Sequence, residues 1–175
     1  LFKYAKPNII AVDSKGIISS SRNDLNDAKK ELLKITNPHN VSGSFNDALA
    51  GADIFIGVSK ADLLSEEDVK KMAANPIVFG LANPNPEIKP ELAKKAGVAI
   101  LAPGRSDYPN QVNNAVAFPG IFRGALDNKV SKITDDHKIA AAEAIASLVD
   151  EPAEDNIIPS VFDERLVPSI AAKIV

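Results

Sequence analysis

Asp53-Ile54-Phe55-Ile56-Gly57-Val58-Ser59 is a continuous apolar run, rich in β-branched and aromatic residues, that ends on a small polar side chain. A run this short with no polar alternation reads as a buried strand of a parallel sheet. Downstream, Ser65-Glu66-Glu67-Asp68 has the form of a capping box, its acids fill the first turn where the helix dipole favours them, and Val69, Met72 and Ala73 face inward. Pro76-Ile77-Val78-Phe79-Gly80-Leu81-Ala82 is another strand, stopped at Asn83 because Pro84 has no ladder donor. Pro90 opens a helix through Lys95 with Gly97 as its cap, and residues 98–101 form a further strand. Upstream, Asn8-Ile9-Ile10-Ala11-Val12-Asp13 before the turn residues Ser14-Lys15-Gly16 reads as a buried parallel strand with Asp13 at its C-terminal tip. Leu25, Ala28, Leu32 and Ile35 recur at helical spacing between an Asp24 N-cap and an Asn37-Pro38 stop, and Ser44-Phe45-Asn46-Asp47 caps a short helix closed by Gly51. Strand and helix alternate with connections that suit right-handed βαβ units. The fold class is therefore α/β, a Rossmann-like doubly wound parallel sheet covered on both faces.

Beyond the last strand, Gly104-Arg105-Ser106-Asp107-Tyr108-Pro109-Asn110-Gln111-Val112-Asn113-Asn114 continues through Ala117-Phe118-Pro119-Gly120-Ile121-Phe122-Arg123-Gly124, with Pro119 dividing one helix from the next. Asn113-Asn114 reads as a buried amide pair; amides are poor helix formers, and at the mouth of a strand they serve to bind something. Thr134 caps an amphipathic helix through Val149 whose stripe is Ile139, Ala142, Ile145, Ala146 and Val149. Residues 151–156 are a loop, and a short helix runs from about Glu164 to Ile174. The chain divides into a partial dinucleotide-binding domain, 1–130, and a helical extension, 131–175, that packs on it or on another segment.

The 175 residues fit one ordinary domain, and 45% hydrophobic against 25% charged residues is a globular balance. A net charge of -3 offers no basic footprint for nucleic acid. No apolar stretch reaches the roughly 20 residues of a spanning helix, so no membrane partner is expected. The absence of cysteine excludes a disulfide scaffold and thiolate chemistry and fits a reducing cytoplasm. His39 and His137 lie too far apart in sequence for a local metal pair and read as solvated positions.

Each strand ends in a small polar or flexible group: Asp13, Ser59, Asn83 and Gly104-Arg105. In an open parallel sheet these are all carboxyl ends, where ligands bind. Taken singly, Ser59 and Arg105 read as a loop hydroxyl and a solvated charge, whereas Asp13, Asn83 and Asn113-Asn114 read as functional. An acid at the tip of a second Rossmann strand accepts hydrogen bonds from adenosine ribose hydroxyls and repels a 2′-phosphate by about 4 kcal/mol at close range, which favours NAD over NADP. Lys15 and Arg22 stand close enough in sequence to offset part of that repulsion. No Gly-x-Gly-x-x-Gly turn precedes Asp13. The first strand and the phosphate-binding turn are expected upstream of these residues, and without them the isolated chain is expected to be unstable, since each buried strand residue is worth about 1.5 to 3 kcal/mol.

Val12-Asp13-Ser14-Lys15-Gly16, the segment 51–59, the segment 76–84, and 104–127 together resemble the NAD(P)-binding domain of bacterial and archaeal malic enzymes. The resemblance covers essentially the whole chain. It implies oxidative decarboxylation of L-malate to pyruvate and CO2 with NAD or NADP and Mg²⁺ or Mn²⁺. It also implies a homodimer of the full protein. Cofactor contacts would fall to Asp13, Ser59, Asn83 and Asn113, and malate contacts to Asn83 and Asn114. The acid-base pair and the metal-ligating carboxylates of that family match nothing here, so no catalytic or metal-ligating residue is assigned to this chain, and a missing N-terminal catalytic segment is its expected partner. Tyr4 and Tyr108 do not fit the acid-base role, and the acid pairs Glu66-Glu67 and Asp135-Asp136 read as helix-start charge. Two other readings stand beside this one: a non-catalytic nucleotide sensor on the same scaffold, and another dehydrogenase with a related Rossmann domain.

Overall fold

The computed structural model describes the backbone of residues 1–175 and every side chain except that of Phe2. Its centre is a parallel sheet of β3 (Ile54–Gly57), β4 (Ile77–Gly80) and β5 (Ile100–Pro103), in that spatial order. Phe55, Val78 and Leu101 are register partners and point to one face. There they meet Leu49, Leu64, Val69, Met72, Ile88 and Ala93, brought by α3 (Phe45–Leu49), α4 (Glu66–Val69), α5 (Pro90–Ala96) and their flanking loops. Phe45 and Phe55 pack edge-on with ring centres 6.0 Å apart.

Local chemistry sets these helices. Ser65 and Asp68 form the expected reciprocal capping box, as do Ser44 and Asp47. Pro90 opens α5 and Gly97 closes it at φ 89°, a left-handed conformation that costs glycine little. The last strand begins two residues later than predicted because the Val98 amide donates back to Ala93 O and closes the helix first.

Two expectations about the sheet change. Both crossovers run in the same direction, so right-handed connections put α4 and α5 on one face. The opposite face keeps Ile54 and Ile56 at 51% and 45% exposure rather than buried. The run 8–13 also does not join the sheet. Only β1 (Val12–Asp13) is a strand, and it pairs antiparallel with β2 (Gly16–Ile17) in a tight hairpin. The carbonyls that a parallel neighbour would need are taken by loops: Ile9 O accepts from Asn37 N and Ala11 O from Ile18 N. Gly16 turns the hairpin at φ 108°, where a Cβ would lie 2.4 Å from Gly43 O.

Around this hairpin, α2 (Asp27–Leu33) is capped by Asn26, not by Asp24, whose carboxylate is held by Arg22 and Lys15. Asn37 does more than stop the helix: its buried side chain donates to Ile18 O and Val41 O and accepts from Val41 N. The N-terminal turn α1 (Phe2–Ala5) precedes it all.

The C-terminal third has its own core. A 3-10 turn at Asn114–Val116 leads into α6 (Phe118–Asp127), with Pro119 in its first turn as expected, followed by α7 (Asp135–Ala146) and α8 (Leu166–Ala171). Val116, Ala141, Ala144, Leu166, Ile170 and Ile174 are buried together. The predicted stripe on α7 is displaced. Ala142 and Ala146 are exposed, and Ala141 and Ala144 face the core with Ile145 and Leu148 beside them. Small side chains there let α8 approach closely. His137 is not simply solvated: its Nδ1 accepts from Thr134 N in the capping box and its Nε2 bonds Val175 O. Among the described residues no helix is long and apolar enough to cross a membrane.

The glycines of α6 belong to this packing. A Cβ on Gly120 would meet Ile170 Cβ at 2.6 Å, and one on Gly124 would meet Ala171 O at 2.6 Å. Gly120→Ala is therefore expected to cost about 1 to 3 kcal/mol by forcing α6 from α8. Gly104→Ala, where the nearest atom is Leu81 O at 3.5 Å, is expected to be far milder; thermal unfolding of the two variants side by side checks the contrast.

Candidate functional site at the strand tips

Parallel register carries the three strands of the main sheet to one edge. Gly57, Gly80 and Pro103 are successive register partners, and the ladder continues past them as Leu81 N donates to Gly57 O and Gly104 N to Gly80 O. The loop after β5 folds back, with Val112 N donating to Pro103 O at 2.9 Å, which returns the chain to the tip immediately before Asn113. Ser59, Asn83 and Asn113-Asn114 thus lie along one sheet edge. The side chains of Ser59, Asn83 and Asn114 are exposed and make no hydrogen bond to the described residues. The amide pair is not buried. Asn113 is exposed too, and its Oδ1 caps the 3-10 turn by accepting from Ala115 N at 2.9 Å, leaving its NH2 free. Local turn chemistry accounts for this, because a 3-10 turn begun at Asn114 needs an acceptor for its orphan amide.

Asp13 stands on the hairpin rather than on the main sheet, and its carboxylate is already engaged. Arg22 grips it through Nη1 and Nη2 at 2.8 and 3.0 Å, Lys29 Nζ bonds Oδ2, and Lys15 N donates to Oδ1 at 2.9 Å. Arg22 also holds Asp24 through two bonds of 2.9 Å, and Lys15 Nζ pairs with Asp24 at 2.7 Å. The cluster thus sets Lys15, Arg22 and Lys29 against Asp13 and Asp24. The Arg22 guanidinium, helped by Lys29 and opposed by burial, holds the Asp13 carboxyl well below the usual range, and Arg22 and Lys15 do the same for Asp24.

Two residues that sequence reading passed over matter here. Glu87 is fully buried and bonds Ser59 N and Ala82 N, one through each carboxylate oxygen. Asn110, 6% exposed, donates to Leu101 O and Glu154 O and accepts from Ile157 N, clamping the loop 151–157 onto the last strand. The available signal for Glu87 was an acid within an otherwise apolar and proline-rich stretch, Pro86-Glu87-Ile88. Arg105 pairs with Asp107 and lies 5.6 Å from the Tyr108 ring centre, while the Tyr108 hydroxyl reaches Glu91 at 3.3 Å, so these groups brace the loop. Two surface hollows, one bordered by Glu151 and Asp163 and one by Arg123 and Pro168, lie away from the tips. Among the described residues no group of three or more His, Cys, Asp or Glu side chains could hold a metal ion.

The family model described as malic enzyme, NAD binding domain, matches residues 2–175. The bifunctional malic/malolactic enzyme of Bacillus subtilis is 52% identical over 174 residues, which are 98% of this chain and 42% of that protein. The NADP-dependent malic enzyme of Halomonas elongata is 41% identical, across 95% of this chain and 43% of its own length. Among solved structures, the NAD-dependent malic enzyme of Thermotoga maritima superimposes with a TM-score of 0.89 at 48% identity, covering 95% of this chain and 44% of the other. The chain spans less than half the length of these relatives.

The Asp13 cluster predicts an acid-side stability profile. The unfolded carboxyl titrates near 3.9 and the folded one lower, so its contribution is present above about pH 4 and is lost as pH falls through the folded value. Arg22→Met is expected to lower the thermal midpoint fully at pH 6 to 7, with the gap between the two proteins narrowing steadily as pH falls below about 4. Equal losses at every pH would contradict this coupling.

Proposed function

The chain belongs to the malic enzyme family, as its NAD-binding domain, and we propose that it supplies the cofactor cleft and one wall of the malate site in an enzyme that converts L-malate to pyruvate and CO2 with reduction of NAD or NADP. The observation that carries this is the row of unpartnered polar side chains, Ser59, Asn83 and Asn114, at the carboxyl ends of consecutive parallel strands, where open α/β sheets bind ligands. In this reading Asn83 and Asn114 donate amide hydrogen bonds to the substrate and the nicotinamide ribose. Ser59 and the free NH2 of Asn113 face the cofactor. Neutral amides suit the task because they orient a dianionic substrate without changing the charge that the hydride step senses. When bound, the oxidised nicotinamide accepts the hydride.

Asp13 is proposed to face the adenosine ribose. A carboxylate offers about four acceptor sites, and four donors already fill them. A ribose hydroxyl would take the place of Lys29, whose side chain is 34% exposed and would then be free to face a 2′-phosphate. The surplus cation of the cluster offsets the repulsion that a bare acid would exert, so acceptance of both NAD and NADP is proposed. Metal binding and proton transfer are assigned to no residue of this chain, and a catalytic segment outside it is proposed to provide them. The division at residue 130 is proposed on the same footing, and the packing of α8 on α6 supports an extension that docks on the cofactor part. A homodimer and a cytoplasmic setting belong to this proposal through the family resemblance.

The test uses the protein as its gene encodes it, with malate, Mn²⁺ and either NAD or NADP, read by absorbance of the reduced cofactor. Malate-dependent reduction is expected, and Asn114→Ala is expected to lower kcat/KM for malate by about tenfold to a hundredfold. Nucleotide binding without malate-dependent reduction would overturn the assignment. Lys29→Met is expected to raise KM for NADP more than KM for NAD; an equal effect on both would remove Lys29 from cofactor selection.

A further inference from the structure

The carboxylate of Glu87 is fully buried at the edge of the sheet that carries the proposed site, and no lysine, arginine or histidine pairs with it among the described residues. A carboxyl group buried without a cationic partner is costly unless its oxygens accept hydrogen bonds. Glu87 Oε1 accepts from Ser59 N at 2.9 Å and Oε2 from Ala82 N at 3.0 Å, while its backbone carbonyl accepts from Leu64 N at 2.9 Å. The first amide belongs to the loop after β3, the second to the loop after β4, immediately before Asn83. Room for the carboxyl group is made by Gly57, whereas a Cβ on Gly80 would meet it only at ordinary contact distance. Gly57 and Gly80 are register partners, a Cβ on Gly57 would lie 2.4 Å from Glu87 Cδ, and one on Gly80 would lie 3.6 Å from Oε2.

Only a carboxylate satisfies both amides at once. A glutamine has one acceptor oxygen, so its NH2 would confront the second N–H. We infer that Glu87 is a positioning residue that locks the Ser59 and Asn83 loops to each other, setting the spacing between the cofactor-facing hydroxyl and the substrate-facing amide. This rests on the reading of the strand tips as the cofactor and malate site. Farther along, the same two loops are joined by Asp62 N donating to Pro86 O at 3.2 Å and Leu64 N to Glu87 O. The carboxylate is the tie that falls directly at Ser59 and beside Asn83, whose side chains are free.

Glu87→Gln in the protein as its gene encodes it is the test, with Glu87→Asp, which keeps the charge on a shorter arm, as the second variant. Two measurements are made on each. In amide hydrogen exchange, Ser59 or Ala82 is expected to exchange at least about tenfold faster than in the wild type while Ala93 and Val98 keep their protection. In steady-state kinetics, at a temperature where circular dichroism shows the variant folded, kcat/KM for malate is expected to fall by about tenfold or more with a rise in KM. Ile170→Ala, a cavity in the second core, serves as the control that loses stability without moving KM. Unchanged exchange at both amides, or kinetic constants that follow only the loss of stability seen in the control, would overturn the inference. Wild-type protein that binds nucleotide but never oxidises malate would sink the proposed reaction and leave the exchange measurement to decide on Glu87. If Glu87→Gln does not fold, Glu87→Asp decides by the same two readouts.

Discussion

Parallel pairing is the constraint on which the arrangement depends. Parallel strands cannot be joined by a hairpin, so each crossover must travel back along the sheet. Every strand then ends at the same edge. Three strands of only four residues each have little ladder to hold them, and their alignment comes from Phe55, Val78 and Leu101 being driven together against α3, α4 and α5. The polar residues that follow each strand inherit that alignment. Ser59, Asn83 and Asn114 come to one edge because apolar side chains earlier in the chain share a register.

The tips are stabilised from behind by different means. Glu87 ties the first two loops through their backbones. Asn110 ties the third, through Leu101, to Glu154 and Ile157 in the loop between the last two helices. Those helices are held in turn by close approach of α6 and α8 across Gly120 and Gly124. The long motif 104–124 thus serves two purposes: its first part shapes the edge of the site, and its glycines bury a helix pair that anchors the loop. The face of β3 carrying Ile54 and Ile56 stands outside both cores.

Much of this was legible in the residues. Ser44 with Asp47, Ser65 with Asp68, Pro90 and Gly97 announce their caps because a cap is decided by atoms three or four positions apart. The strands of the central sheet were legible as apolar runs, to within two residues. The failures concern partners distant in sequence. Val12-Asp13 reads as a strand tip, but the loop amides of Ile18 and Asn37 took the carbonyls before it. The stripe on α7 could be drawn through Ala142 or through Ala141, since alanine is nearly neutral to burial, and the position of α8 chose. Glu87 looked like an ordinary loop acid because nothing local reveals two amides from separate loops converging on it.

By itself the sequence determined the α/β class, the capped starts at Ser44, Ser65, Pro90 and Thr134, the polar character of each strand end and, through its long motifs, membership in the malic enzyme family. Those properties depend on hydrophobic period, local hydrogen bonding and residue type, all of which act over a few positions. Tertiary structure alone decided that Asp13 is gripped by Arg22 and Lys29, that Asn110 clamps the loop 151–157, and that Glu87 bridges two loops. A buried charge or amide takes its function from whichever donors the fold brings within about 3 Å, and that distance is set by packing between segments that the linear order keeps apart.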